Sequence, residues 1–332
     1  MGTIIIAEAG VNHNGSLDTA LKMVDAAAEA GADYIKFQTF QTRHLVTSDC
    51  SPADYQQKNM GAVSQAAMLK KLELTQEDFR VINEYCKRKG IGFLSTPFDK
   101  ESVRFIASLN PDYIKVPSGE ITNLPYLREV AATDIPVIIS TGMCEMKDVK
   151  EALQPFAERC YPTDKIILLH CTTEYPAPME DVNLKAMSSL RRQFGLEAGY
   201  SDHTEGISIS LAAAALGAVV IEKHFTLSRE MEGPDHIASL EPEELAQLVK
   251  GVRDIEKALG DGCKRVTESE RKNIRAARRS IVAARKIPKG KVIDAEDIAA
   301  KRPATGLSPM LWDKVVGSVA IREYEPDERI EI

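Results

Sequence analysis

The sequence predicts a (β/α)8 TIM barrel followed by a small β-rich domain. Two observations carry the barrel. Eight short apolar or β-branched runs recur along the first ~260 residues, and each ends in polar residues. An amphipathic helical stretch follows each run. Strands alternating with helices form parallel βαβ units, and eight such units in about 250 residues fit a closed barrel. A third observation carries the tail, where the pattern breaks after Gly262. A doubly wound open sheet competes with the barrel, but no glycine-rich phosphate loop follows the first run.

The predicted strands are Thr3–Glu8, Tyr34–Thr39, Gly92–Thr96, Tyr113–Ser118, Pro136–Thr141, Lys165–Thr172, Glu197–Ser201 and Ala218–His224. Between them, Leu17 to Ala30 carries apolar residues at helical spacing, with Gly31 as a stop. Thr75-Gln76-Glu77-Asp78 is a capping box ahead of an apolar-periodic segment. The alanine-rich stretch from Gly206 to Gly217 suits a helix packed closely on a barrel. These elements place a barrel domain at residues 1–262. Residues 263–280 are polar and arginine-rich and read as a linker. Residues 281–332 hold short strand-like pieces, Ile281–Ala284, Val292–Ile293, Val315–Ala320 and Arg329–Ile332, between turn signals. A domain that small needs docking against something.

Composition bounds the function. The 332-residue chain is 44% hydrophobic and carries a formal net charge of -7. A mildly acidic chain has no global field for nucleic acid or an anionic membrane. No apolar run approaches the ~20 residues that span a bilayer. The opening MGTIIIAEAG lacks basic residues ahead of its apolar run and reads as a first strand, not a signal peptide. The six cysteines, Cys50, Cys86, Cys144, Cys160, Cys171 and Cys263, are scattered and form no CxxC pair. They read as buried, reduced thiols of a cytoplasmic protein.

Chemistry in such a barrel sits at the C-terminal ends of the strands. Here those ends carry Glu8, Lys36, Gln38, Thr96, Lys115, Ser118, Ser140, Thr141, Ser201, His203, Glu222 and His224. Alternation puts Lys36 with Gln38, and Glu222 with His224, on shared faces. A charge facing a barrel interior is costly unless it is paired or bound to ligand. One such lysine is explained by a structural ion pair; two lysines, two glutamates and two histidines at one rim need more. His203 and His224 end adjacent strands about 4.8 Å apart, so two imidazoles there can share one metal. Two nitrogens leave room for waters and substrate oxygens, as in an open octahedral Mn²⁺-like site. Lys36 and Lys115 with Ser118, Ser140 and Thr141 form a candidate phosphate or carboxylate pocket. A Schiff-base lysine, hence a pyruvate-type aldolase, is the rival assignment.

At these residues the chain resembles the sialic acid synthase family. The stretches that carry the resemblance are IAEAGVNHNG (Ile6–Gly15), KFQTF (Lys36–Phe40), FLSTPFD (Phe93–Asp99) and IKVPSGEITNLP (Ile114–Pro125). They continue with STGM (Ser140–Met143), LHCTTEYPAP (Leu169–Pro178), GYSDHT (Gly199–Thr204), IEKHFT (Ile221–Thr226) and GPDHIASLEP (Gly233–Pro242). RRSIVAARKIPKG (Arg278–Gly290) and KRPATGLSP (Lys301–Pro309) resemble that family's antifreeze-like (SAF) domain. The resemblance implies that His203 and His224 hold a divalent metal, Mn²⁺ foremost, with Mg²⁺ or Co²⁺ as alternatives. It implies that Glu8 moves a proton near the reacting carbons, with Glu222 beside it. It places phosphoenolpyruvate on Lys36, Lys115, Ser118 and Ser140, with Thr96 nearby. Gln38, Tyr175, Ser201, Glu222 and Asp235 then line the path to an N-acetylated amino sugar. Arg302 is implied to reach in from the SAF domain of a second subunit, which makes a domain-swapped homodimer.

The implied reaction joins phosphoenolpyruvate, N-acetylmannosamine and water to give N-acetylneuraminate and phosphate. The alternative is N,N'-diacetyllegionaminate synthesis from 2,4-diacetamido-2,4,6-trideoxymannose, because ITNLPYL, CTTEYPAP and VNLKAM look at least as close to that branch. Thr172 and Thr173 stand where some members have asparagine, and Ala304 and Thr305 replace the more usual glycine and asparagine after Arg302. A non-catalytic sugar- or ice-binding protein built around the tail leaves the polar barrel rim unexplained.

Overall fold

The computed structural model describes residues 2–47 and 64–332; Cys50 lies outside the described residues. The chain divides into two compact units, Met1–Gly260 and Asp261–Ile332.

In the first unit eight parallel strands form a barrel. They are β1 (Ile4–Gly10), β2 (Tyr34–Thr39), β3 (Gly92–Pro97), β4 (Ile114–Val116), β5 (Val137–Ser140), β6 (Ile166–His170), β7 (Glu197–Asp202) and β8 (Val220–His224). Backbone ladders run in the order β3-β2-β1-β8-β7-β6-β5-β4. β3 and β4 pack side by side and bring the sheet round. The strands match the predicted runs to within two residues at every end; β4 stops at Val116 because Ser118 opens a 3-10 turn, Ser118–Glu120.

The helices follow their sequence signals. Ser16 caps the helix Leu17–Glu29 by accepting from the Thr19 amide. Thr75 and Asp78 form the predicted capping box of Gln76–Lys89. Both faces of each strand are buried, so the sequence alternates between two cores. Outward residues such as Ile5, Ala7, Ile35, Phe37, Val116, Ile139 and Leu168 join the layer between strands and helices. Inward residues Ile6, Leu94, Ile138, Ile167, Leu169 and Val220 make a small apolar plug, with Ile4 and Tyr34 against it.

Two glycines make that plug possible. A Cβ on Gly92 would meet the Tyr34 ring at 2.2 Å, and one on Gly199 would meet the Val220 carbonyl oxygen at 2.4 Å. Above the plug the inward positions turn polar. Register sets Ile6 beside Glu222, then Glu8 beside Lys36 on one side and His224 on the other.

The second unit has its own core, built from Ile281, Ile287, Ile293, Ile298, Val315 and Tyr324 among others. β9 (Ser280–Ala283) and β10 (Ile298–Lys301) pair antiparallel, and further contacts are single bridges such as Val292–Val319. β10 was not among the expected pieces, Val292–Ile293 and Arg329–Ile332 make only single bridges, and two further details differ from the sequence expectation. The polar stretch read as a linker holds a helix, Glu268–Ala277, with a capping box from Thr267 and Glu270. Its charges sit on an exposed surface, so composition alone mimics a linker. The start of the expected strand Val315–Ala320 instead ends a short helix, Trp312–Val315.

Candidate active site

The polar ends of the strands enclose one cavity of about 1060 Å³. Its floor is a cluster of four buried charges. Lys36 Nζ lies 2.7 Å from Glu8 Oε2 and 3.7 Å from Glu222 Oε2. Lys115 Nζ lies 3.4 Å from Glu222 Oε1. Hydroxyls complete the shell: Lys36 donates to Thr96 Oγ1 and Lys115 to Ser140 Oγ, both at 2.8 Å. Ser201 Oγ donates to Glu222 Oε1 at 3.0 Å, and Gln38 Nε2 to Glu8 Oε1 at 3.4 Å.

The two carboxylates differ in charge state. Burial raises both, but Lys115 and Lys36 outweigh it at Glu222 and hold it down to about 2. At Glu8 burial wins over Lys36, and the ionised Glu222 adds to the rise. One buried carboxylate is thus a fixed anion and the other is poised to carry a proton. Burial also lowers Lys115. Asp235 lines the same cavity, and burial, then Glu8, raises it to about 7.

Beside this floor stand the two histidines. The rings of His203 and His224 have centroids 5.5 Å apart, and Tyr175 packs against His203 at 4.2 Å. His203 Nδ1 lies 2.6 Å from the Thr172 carbonyl oxygen, which can only accept, so that nitrogen carries the proton and Nε2 keeps a lone pair. His224 Nδ1 is buried without a hydrogen-bond partner among the described residues. Burial pushes both imidazoles below their ordinary range, with His203 adding at His224, so both are neutral. Neutral imidazole is the ligand form, and an orphaned ring nitrogen fits a metal or substrate oxygen.

A second grouping, His44, Asp99 and Glu101, brings possible ligand atoms within 4.8 Å of one another. Asp99 already caps the helix Lys100–Ser108 through the Ser102 amide and also accepts from the Gln41 amide. Its oxygens are therefore committed to backbone, which favours a capping role for this cluster.

Of the residues singled out in sequence, the structure brings Glu8, Lys36, Gln38, Thr96, Lys115, Ser118, Ser140, Tyr175, Ser201, His203, Glu222, His224 and Asp235 onto one cavity wall. Ser118 Oγ accepts from the Gly142 amide at 2.9 Å. Ser95 faces away, bonded to Thr39 Oγ1 and the Phe37 carbonyl. Thr141 bonds the Leu169 carbonyl, and His170 lies 2.8 Å from the Val182 carbonyl. His13 is fully buried, accepts from the Gly15 amide, and is pushed down to about 4 by burial. Arg302 belongs to the second unit, where it follows β10 and is exposed.

Sequence reasoning missed two features, the thiol of Cys171 and a second, apolar wall. Cys171, read as a plain buried hydrophobe, lines the cavity with its thiol 3.3 Å from Ser118 Oγ. Thr173, noted in the sequence only as a departure from the family's asparagine, also lines it, with a buried hydroxyl that has no partner among the described residues. A Cβ on Gly142 would meet Thr173 Oγ1, Ser118 Oγ and Cys171 Sγ, all within 3.0 Å, so these groups converge on one point. A second wall is apolar, built from Val11, Phe40, Met68, Leu69 and Leu72 with Leu45, Val46 and Phe98. Its parts come from four separate segments, which no local pattern joins.

Residues 23–264 match the NeuB family and residues 278–330 match the SAF domain. The chain is 49% identical over 329 residues to an N,N'-diacetyllegionaminic acid synthase of Campylobacter jejuni, covering 99% of this chain and 98% of that protein. It is 47% identical over 322 residues to an N,N'-diacetyllegionaminic acid synthase of Legionella pneumophila, covering 96% and 90%. A solved N-acetylneuraminic acid synthetase from Leptospira borgpetersenii, in complex with citrate, superposes with a TM-score of 0.71 at 35% identity, covering 82% and 90%. The chain belongs to the NeuB family, the sialic acid synthase family that its motifs resemble, and it is an enzyme, a synthase-type transferase.

Proposed function

We propose that this enzyme condenses phosphoenolpyruvate with 2,4-diacetamido-2,4,6-trideoxymannose and water to give N,N'-diacetyllegionaminate and phosphate. The observation that carries the chemistry is the buried floor, where two ammoniums and two carboxylates share a cavity with hydroxyl donors. The choice of sugar rests on the two relatives at 49% and 47% identity. They favour the diacetamido sugar, the alternative to which ITNLPYL, CTTEYPAP and VNLKAM are at least as close, over the N-acetylmannosamine of the main expectation. The apolar wall supports the same choice, because it suits a 6-deoxy methyl better than a hydroxyl.

Phosphoenolpyruvate is polyanionic, and Lys36 and Lys115 counter its charge in a water-poor pocket. Ser118, Ser140 and Thr96 supply donors for phosphate or carboxylate oxygens, and Thr173 adds its free hydroxyl. C3 of the enol attacks the sugar's open-chain aldehyde carbon, and water adds at C2. Glu8, poised by burial, carries a proton to the new alkoxide, and the proton lost by water restores the balance. The tetrahedral intermediate then loses phosphate by breaking its C2–O bond. Glu222, held near 2, is too weak a base to take that proton, so its part is to anchor both ammoniums and Ser201. His203 and His224 would hold a divalent metal, Mn²⁺ in our assignment. When bound, that ion supplies Lewis acidity toward the aldehyde oxygen. Gln38, Tyr175 and Asp235 line the approach to the sugar, and Arg302 of a second subunit completes the acetamido contact in a domain-swapped dimer. We place the enzyme in the cytoplasm. No helix among the described residues is long and apolar enough to cross a membrane, and the five described cysteines are free thiols.

The test is turnover in H₂¹⁸O. Phosphate released only when both substrates are present, and free of ¹⁸O, is the expected result. Labelled phosphate would mean attack at phosphorus and would overturn the mechanism. The lowered Lys115 also suits a Schiff base. Borohydride with pyruvate should leave Lys36 and Lys115 unmodified, and an adduct on either would make this an aldolase.

A further inference from the structure

The back face of β7 and β8 carries a buried ion pair that the reaction does not use. Asp202 and Lys223 are register partners, 0% and 1% exposed. They alternate with the cavity-facing Ser201, His203, Glu222 and His224, so they point outward into the helix layer. Lys223 Nζ lies 3.1 Å from Asp202 Oδ2, which also accepts from Ser210 Oγ at 2.5 Å. Asp202 Oδ1 accepts from the Thr204 amide at 2.9 Å and from Thr204 Oγ1 at 2.8 Å. Lys223 Nζ donates to the Thr204 carbonyl. Every one of these bonds to Thr204 fixes the residue that follows His203.

The far side of His203 is held as well, because its carbonyl accepts from the Ala177 amide at 2.9 Å. A buried pair is a poor source of stability, since apolar residues of similar volume often do as well. What it adds is direction, and here the direction is given to one turn of backbone beneath two imidazoles.

We propose that Asp202 and Lys223 are positioning residues that set His203 and His224 at the separation and orientation needed to hold a divalent ion. The proposal rests on the assignment of those two histidines as metal ligands. Neither Asp202 nor Lys223 lines the cavity; they act through the Thr204 backbone and the strand pairing.

The test compares the full-length protein with the Asp202→Asn/Lys223→Met double variant. Manganese affinity is measured by calorimetry on metal-free protein, alongside the melting temperature. The double substitution removes both charges together, so no lone buried charge remains. The expected result is a melting temperature within a few degrees of the unmodified protein and a Kd for Mn²⁺ raised about 10- to 100-fold. A melting change with unaltered Mn²⁺ affinity would show a merely structural pair and would overturn the proposal. If the double variant does not fold, Ser210→Ala decides. It removes one donor to Asp202 far from the imidazoles and should weaken Mn²⁺ about threefold; no change would count against the proposal. An unmodified protein that binds no divalent ion would instead sink the metal assignment beneath it.

Discussion

At the scale of single residues, the site is a balance between burial and charge. Lys115 and Glu222 lie 3.4 Å apart with almost no exposure, so neither tolerates loss of the other. Lys115→Met should raise the KM for phosphoenolpyruvate at least about tenfold. It should also cost about 3 kcal/mol of stability, because Glu222 keeps, among the described residues, only the distant Lys36 at 3.7 Å as an ammonium partner, beside the Ser201 hydroxyl. Adding Glu222→Gln should restore much of that stability without restoring turnover. Denaturant melts and steady-state kinetics separate the two effects, and a double variant no more stable than the single would contradict the pairing.

Asp235 gives a pH prediction. Its ordinary value is 3.8 and burial lifts it to about 7. Between those values the folded protein binds a proton that the unfolded chain has released. Stability from this group is therefore fully present below pH 4 and is lost as pH rises through 7. Asp235→Asn should flatten the melting temperature across pH 4 to 7 relative to the unmodified enzyme. An unchanged slope would mean that Asp235 is ionised throughout.

At the scale of elements, alternation made much of the site readable. Lys36 with Gln38, and Glu222 with His224, are inward pairs two residues apart, and the barrel turns both into the cavity. The same parity explains why Ser95, between Leu94 and Thr96, turns away. Thr173 and Cys171 were harder to read because they follow β6 in a loop, where no period dictates direction. Met68 and Phe40 carried no signal because their cavity wall joins segments remote in sequence.

Gly199 tests the element scale. Its missing side chain lets β7 and β8 approach, and a Cβ there would come within 2.4 Å of the Val220 carbonyl oxygen and 2.8 Å of Leu169. Gly199→Ala should lower stability by roughly 1–3 kcal/mol or more, as overpacking does. It should also reduce turnover, because the same two strands carry Ser201 and Glu222. A variant with unchanged melting behaviour would contradict the tight packing of the plug.

At the scale of the whole molecule, the barrel was legible because eight strand–helix repeats leave few alternatives, and the second unit because composition shifts after Gly262. The helix Glu268–Ala277 was hidden by its charge, since all its residues are at least partly exposed and no apolar stripe marks it. The proposed domain swap makes a strong prediction here. Arg302→Ala and Glu8→Gln should each be inactive alone. Mixed and re-equilibrated, half of the dimers carry one chain of each kind, and one of their two sites is then free of both changes. About a quarter of the unmodified activity should return. No recovery, with exchange verified, would place Arg302 in the site of its own chain or outside any site.

Phosphate release from phosphoenolpyruvate, measured in the presence of Mn²⁺ with the two sugars offered separately, decides both the reaction and the sugar. The expected result is a higher kcat/KM with 2,4-diacetamido-2,4,6-trideoxymannose than with N-acetylmannosamine, and no release after the metal is chelated. A higher kcat/KM with N-acetylmannosamine would contradict the sugar assignment, and release with neither sugar would contradict the proposed reaction itself.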